Sequence, residues 1–569
     1  MSEGPALDAD QSRVASAPRE ARQIVIAGPG SGKSEVVGQR CRLLLDDDVY
    51  PEEILVISFS NAAVGVVRER TADVMEEGRA IDSATIDSLA ARIRRELGET
   101  DPTFTAYDIS VTKATQLIEK ADAPVFPDVR HVIVDEVQDI VGLRARFVLD
   151  LLAYGFHEDV GFTLLGDPMQ SLYDFQLKGA ENWSAERFLD EVRSRFEVEE
   201  SVLAGEYRTR TDDARAVARA RPALSALSEP QRLRHLHNLM AELAPLGHID
   251  DDMAEDLAAW KGTTALLTDT NARAGLVADR LSAHGLPVEL AASATDPSLV
   301  AWIGRILGHH PSGRISREDF LDLAADLPDA QDLWKTLVRV ADSRGGLDLT
   351  DLATGLRSRR YPLPLLRTPA SAVIASTVHR AKGLEFDNVV LVDPEDWHGG
   401  DDGAAARRLF VAMSRARNRL SRCLGTSTRS WRKDPRGNVW LQLPPHRRGC
   451  IGLLMEPGHA RGLGPVAYAL DDTVGLAVAW GEAEETTTVD GHVVPTWTAS
   501  VEGVEVARTS EDFGVMVDRL SFRGRVPALR GGRVEGLETV VGPPGHTGPG
   551  QYGFWVGARI SGPITFEWE

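Results

Sequence analysis

Residues 27–34 read Ala27-Gly-Pro-Gly-Ser-Gly-Lys33-Ser34, and no other stretch constrains the fold as tightly. The run follows the apolar Gln23-Ile-Val-Ile-Ala27 and leads into an apolar helical pattern over 36–45. A strand that ends in glycines and passes straight into a helix makes a phosphate cradle. The glycines let backbone N–H groups close round phosphate oxygens, and the helix N-terminus favours the anion. Ala27, Gly28, Pro29, Gly30, Ser31 and Gly32 form that cradle. Lys33 is placed to reach the β- and γ-phosphates and Ser34 to hold Mg²⁺. Ala27 stands where the strict pattern has glycine. The competing reading, a bare glycine-rich turn, does not account for Gly32-Lys33-Ser34.

A second apolar run, His131-Val-Ile-Val134, ends in Asp135-Glu136-Val-Gln138-Asp139. At a strand tip Asp135 suits Mg²⁺ and Glu136 suits the orientation and deprotonation of an attacking water. Alone this cluster reads equally well as a solvated acidic turn; paired with the loop upstream it points to phosphoryl chemistry. Further apolar runs at 54–57, 162–165, 264–267, 372–375 and 389–392 alternate with helical patterns such as 271–282. That alternation predicts parallel α/β sheets. The expected fold is α/β, with two P-loop-type parallel-sheet domains carrying small helical insertions and a C-terminal β-rich domain. The boundaries expected are 1–205, with an insertion near 90–130; 206–449, with a helical insertion near 296–370; and 450–569. In the last, strands are read at 474–480, 491–500 and 552–559, with turns such as Asp490-Gly491 between them.

Composition narrows the function classes. The chain opens with acid and no apolar leader, no run approaches the roughly 20 apolar residues of a membrane span, and Cys41, Cys423 and Cys450 form no CxxC pair. A cytoplasmic protein without membrane, disulfide framework or zinc site is expected. The formal net charge of −22 means that any nucleic-acid track is a local groove rather than a basic face.

An ordered series of motifs over about 7–443 resembles the UvrD/Rep/PcrA branch of superfamily 1 helicases. Leu7-Asp-Ala-Asp-Gln11 is similar to the Q motif, Ile57-Ser-Phe59-Ser-Asn61 to motif Ia, and Leu165-Gly-Asp-Pro-Met-Gln170-Ser-Leu-Tyr173 to motif III. Glu206-Tyr207-Arg208-Thr resembles motif IV, Thr377-Val-His379-Arg-Ala-Lys-Gly383-Leu-Glu385 motif V, and Phe410-Val-Ala-Met-Ser-Arg415-Ala-Arg motif VI. The resemblance implies an ATP-driven, Mg²⁺-dependent motor on single-stranded DNA, moving 3′ to 5′, with RNA a lesser alternative. It implies Gln11 and Tyr207 near the adenine, Gln170, Arg208 and Arg415 at the γ-phosphate, and Gly383 and Glu385 on the nucleotide side of motif V. Phe59, Asn61, Thr85, Tyr173, Phe175, Thr377 and His379 are the implied strand contacts, with core roles the alternative for the aromatics and for His379.

The chain also departs from the pattern. Thr85-Ile86-Asp87 stands where the family commonly has Thr-Phe-His, Glu206 replaces an Asn, Glu35 stands where relatives often have Arg, and two extra residues precede Lys178-Gly-Ala. The stretches before the Asp135-Glu136 cluster and before motif V are short for the accessory subdomains of larger relatives. Two other functions stay open: a motor subunit whose C-terminal domain recruits a nuclease or other protein partner, and a nucleotide-gated switch with little unwinding.

Overall fold

Alternate residues of the predicted strands point to opposite sides of one sheet, and both sides are buried. In the computed structural model, Ile24, Leu55, Ile57, Val132, Val134 and Leu164 enter one apolar cluster. Their neighbours Val25, Ile54, Val56, Ile133 and Leu165 enter another, on the opposite face. This double burial is what a parallel sheet covered by helices on both sides requires. The structure describes residues 7–58, 81–98, 107–172, 183–291, 298–357, 361–367, 371–397, 401–425, 427–434, 436, 439–444, 449–463, 470–488, 490–521, 524–542 and 550–568.

The chain divides into two compact units, Met1–Glu242 with His398–Asn418, and Leu243–Trp397 with Arg419–Glu569. In the first, β1 (Arg22–Ala27), β2 (Ile54–Ser58), β3 (Asp82–Thr85), β4 (His131–Val134), β5 (Gly161–Gly166) and β6 (Glu199–Leu203) form one sheet in the order β3-β2-β4-β5-β1-β6. Every pairing in it is parallel. Helices α1 (Ala9–Ala15), α2 (Lys33–Asp46), α3 (Ile86–Glu96), α4 (Tyr107–Lys120), α5 (Leu143–Tyr154), α6 (Ala185–Arg195), α7 (Asp212–Ala226) and α8 (Glu229–Ala241) follow in chain order, with the helix Asp402–Met413 added from downstream. The order sets the site: β4, β5, β1 and β6 are neighbours, so the segments leaving their carboxyl ends lie side by side. Ligands of open α/β sheets bind at that edge.

The second unit holds β7 (Pro245–His248), β8 (Thr264–Thr268), β9 (Glu289–Leu290), β12 (Val373–Thr377), β13 (Phe386–Val392) and β14 (Ala416–Leu424), ordered β7-β14-β13-β8-β12-β9. The helices Ala301–Leu307, Arg317–Leu323, Ala330–Ala341 and Leu349–Arg357 fill much of the stretch before β12, with a short antiparallel pair, β10 (Arg314–Ile315) and β11 (Leu347–Asp348), between them. β-rich sheets follow. Trp431–Lys433, Trp440–Gln442, Gly452–Met455, Phe554–Trp568 and Pro527–Val541 form an antiparallel sheet in that order. It shares a core with a four-stranded sheet and the helix Glu511–Leu520, centred on the fully buried Trp497 and Phe513. This β-rich part also packs on the preceding helices of its unit. Phe554 lies in the cluster of Leu299, Ile303 and Leu307, and a Cβ on Gly304 would meet the backbone of Trp555 at 2.4 Å. Among the described residues no helix is long and apolar enough to cross a membrane.

Candidate nucleotide site

The loop leaving β1 is built from glycines that have no room for side chains. A Cβ on Gly28 would lie 2.8 Å from Cδ of Arg221; on Gly30, 2.8 Å from Cβ of Arg208 and from Oε1 of Glu206; on Gly32, 2.4 Å from Nε2 of Gln11. Gly30 and Gly32 also have φ of 75° and 77°, a region that L side chains rarely enter. Ser31 is buried, and among the described residues its hydroxyl has no hydrogen-bond partner. A glycine nest with an orphaned hydroxyl, opening onto the N-terminus of α2, suits an anion that brings its own acceptors. The residues present therefore fit a nucleotide phosphate chain. Gly32→Ala is expected to cost about 1–2 kcal/mol locally, the usual penalty for a left-handed L residue. It also drives a methyl into Gln11, so it weakens nucleotide binding. Titration with a fluorescent ATP analogue checks this, and wild-type affinity would contradict it.

Gln11 is fixed from both ends. Its Oε1 accepts from the Asp8 backbone N–H at 3.0 Å, and its Nε2 donates to the Ser31 carbonyl at 2.9 Å. Asp8 in turn caps α1 and accepts from the Tyr207 hydroxyl at 2.5 Å. The Tyr207 backbone N–H donates to the Gly30 carbonyl at 2.8 Å. The Q-motif and motif IV residues thus meet at the loop, with the Tyr207 ring largely exposed.

At the end of β4, Lys33 Nζ stands 2.5 Å from Glu136 Oε1 and 3.6 Å from Asp135 Oδ1. Burial works against the charge on Lys33, but Glu136 and Asp135 outweigh it and hold its pKa above the usual value. Burial raises the pKa of Asp135, and Lys33 offsets only part of the rise. Glu136 has φ 57° and ψ 44°, a left-handed backbone uncommon for such a residue. Its carboxylate also accepts from Gln138 Nε2.

Gln138 is the hub that sequence reasoning passed over. Its Oε1 accepts from the Asp167 backbone N–H at 3.0 Å, which joins the end of β4 to the end of β5. The Asp167 carboxylate accepts from Gln170 Nε2 at 3.1 Å, and Gln170 Oε1 accepts from Arg415 Nη2 at 2.9 Å. Arg415 is buried, its Nε donating to the Val411 carbonyl at 3.1 Å. Arg208 Nη1 donates to the Ser414 carbonyl at 3.2 Å, so the two arginines adjoin. Sequence reasoning assigns both to the stretch 206–449, yet both fall in the first compact unit. The reason is local: Arg210 N–H donates to the Arg417 carbonyl at 2.8 Å and the Thr211 hydroxyl donates to that of Asn418, zipping the segment after β6 to the segment after Met413.

The substituted Glu206 performs a turn-capping task. Its Oε1 accepts from the backbone N–H groups of Arg208 and Thr209 at 2.9 and 2.8 Å, and its Oε2 from the Thr209 hydroxyl at 2.5 Å.

Comparison with known proteins agrees with this layout. A family model described as an AAA domain matches residues 10–176, and one described as a UvrD-like helicase C-terminal domain matches residues 372–421. Over these two stretches the chain is similar to the UvrD/PcrA type of superfamily 1 helicases. A curated relative named ATP-dependent DNA helicase PcrA, from Leuconostoc citreum, is 37% identical over 100 residues, 17% of this chain and 13% of that protein. PcrA proteins of Staphylococcus epidermidis and Staphylococcus aureus are 39% and 36% identical over 74 residues, 13% of this chain and 10% of theirs. The matched stretches thus span only a small part of these relatives.

The UvrD-type strand contacts inferred from sequence are less gathered. Phe59, Asn61, Tyr173 and Phe175 lie outside the described residues. Thr85 caps α3, its Oγ1 accepting from the Ser88 N–H at 3.3 Å, and Asp87 pairs with Arg144 at 2.9 Å. Thr377 ends β12, and His379, Gly383 and Glu385 follow it, all four in the second unit. Gly383 has φ 76°, and none of the described residues lies within 4 Å of where a Cβ would be.

Proposed function

We propose that this chain is a nucleic-acid-stimulated ATPase that moves along single-stranded DNA, 3′ to 5′, as a translocase or helicase of the UvrD/PcrA type in the cytoplasm. One observation carries the reading: a continuous hydrogen-bond chain from Glu136 through Gln138, Asp167 and Gln170 to Arg415, bordering the glycine loop. A static phosphate-binding turn has no use for a buried arginine linked to the acid that faces its lysine.

ATP with Mg²⁺, when bound, supplies a transferable phosphoryl group and a neutralising cation. The loop N–H groups and Lys33 would hold its phosphates, and Ser34 and Asp135 are the side chains that would hold the metal. Lys33 leaves its contact with Glu136 on doing so, and Glu136 is then available to orient a water and take its proton at Oε1. Gln170, Arg208 and Arg415 surround the position where negative charge grows, and their fixed partners mean that little reorganisation is needed. Gln11 keeps one more donor and one more acceptor position on its amide for a base edge, and Tyr207 offers an exposed ring beside it. Thr377 and His379 are the proposed strand contacts of motif V, and Gly383 and Glu385 its nucleotide side.

The test of movement is displacement of streptavidin from biotinylated single-stranded DNA. The expected result is ATP-dependent release from the 5′ end and little from the 3′ end. Release from neither end, with hydrolysis intact, would reject the translocase reading.

A further inference from the structure

Arg221 lies in Ala214-Arg-Ala-Val-Ala-Arg-Ala-Arg-Pro222, an alternation of alanine and arginine that reads as the solvent face of a helix. The structure instead turns this side chain inward. It is 12% exposed and grips Asp167, which is fully buried. Arg221 Nε is 3.2 Å from both carboxylate oxygens and Nη2 is 2.8 Å from Oδ1. Its stem lies on the glycine loop, with Cδ and Nε 2.8 and 3.0 Å from where a Gly28 Cβ would be. One residue of α7 therefore touches both the loop after β1 and the aspartate after β5.

We infer that Arg221 is a positioning residue of the nucleotide site, acting through Asp167 on Gln170 and Arg415. The inference rests on the proposed ATPase reading. An ionised carboxylate only accepts and a guanidinium only donates. Gln170 stands between one of each, so its amide has a single allowed orientation: Nε2 to Asp167 and Oε1 to Arg415. That orientation holds only while Asp167 stays charged. A fully buried carboxylate stripped of its cation either takes up a proton or captures another cation. A protonated Asp167 offers a donor to Gln170, which lets the amide turn over and withdraws the acceptor that holds Arg415. Arg221 thus fixes the charge of Asp167, hence the direction of Gln170, hence the seat of Arg415.

The alternative is an ion pair that only staples α7 to the sheet, and kinetics separates the two. Arg221→Ala is expected to lower kcat for ATP hydrolysis by about 10–100-fold, the usual effect of removing an outer-shell partner, with KM for ATP within about threefold of wild type. In a Gln170→Ala background the same change is expected to have almost no further effect on kcat, because the relay is already cut. An equal loss in both backgrounds, or a rise in KM at constant kcat, overturns the inference. If Arg221→Ala melts early, Arg221→Gln, which keeps a donor beside Asp167, is measured in the same cycle with the same criteria. Lys33→Ala run in parallel separates the two levels of the reading. Hydrolysis that survives it removes the ATPase assignment and this inference together. Lys33-dependent hydrolysis with an Arg221→Ala enzyme as fast as wild type removes this inference alone.

Discussion

Arg415→Ala is expected to lower kcat for ATP hydrolysis by about 10³–10⁵, the range for loss of an arginine that neutralises charge at a transferring phosphoryl group. The side chain is 3% exposed, and its guanidinium is held by the Val411 carbonyl at 3.1 Å, the Ser414 hydroxyl at 3.1 Å and Gln170 Oε1 at 2.9 Å. A donor fixed this way in a dry site is worth far more than one that must be ordered during the reaction. Arg415→Lys is expected to recover little, since a single ammonium cannot satisfy three acceptors along a planar fork. The truncation also removes the Arg415 donor from Gln170 Oε1, a cost of about 1–3 kcal/mol in stability. Circular dichroism and thermal melting beside steady-state kinetics keep the two effects apart. A folded Arg415→Ala variant within about tenfold of wild-type kcat would place the arginine outside the chemistry.

Glu136→Gln is expected to cost about 10²–10⁴ in kcat, the usual contribution of a positioned general base, while nucleotide binding persists or tightens. The amide keeps the shape of the side chain but cannot take a proton from water, and it no longer opposes the departure of Lys33 from its 2.5 Å contact. The left-handed backbone of Glu136 supports this assignment, because such conformations persist where the surroundings over-determine them. Equilibrium binding of a fluorescent ATP analogue, measured with single-turnover hydrolysis, separates affinity from chemistry. Hydrolysis at the wild-type rate, or affinity lost together with it, would assign Glu136 to the support of Lys33 instead.

The sheets were legible because parallel strands buried on both faces appear as unbroken apolar runs. His131–Val134 forms as read, and the run at 54–57 becomes Ile54–Ser58. The loop was legible because its requirements are local: φ near 75° at Gly30 and Gly32, then a helix from Lys33. The relay behind it was not, since Gln138, Asp167, Gln170, Arg221 and Arg415 meet only when separate strand ends and helices assemble. Arg221 gave no local signal at all. In the tail, glycine density misled the strand reading. The stretch 474–480 reads as a strand, yet only Ala479–Trp480 forms one, after a 3₁₀ turn at Asp471–Thr473 and Gly475 at φ 86°. Conversely, Pro527–Val541 runs through Gly531, Gly532 and Gly536, where the register with its partner shifts as in β-bulges. Those glycines resemble turn punctuation in sequence, but here they bend a long strand.

On the proposed reading, the site drives hydrolysis coupled to a nucleic-acid strand. Steady-state ATP hydrolysis without nucleic acid, with single-stranded DNA and with single-stranded RNA, using Lys33→Ala as the blank, tests it most directly. Strong stimulation by DNA, absent in the blank and weaker with RNA, is the result expected. Equal rates with and without either strand would contradict the motor reading.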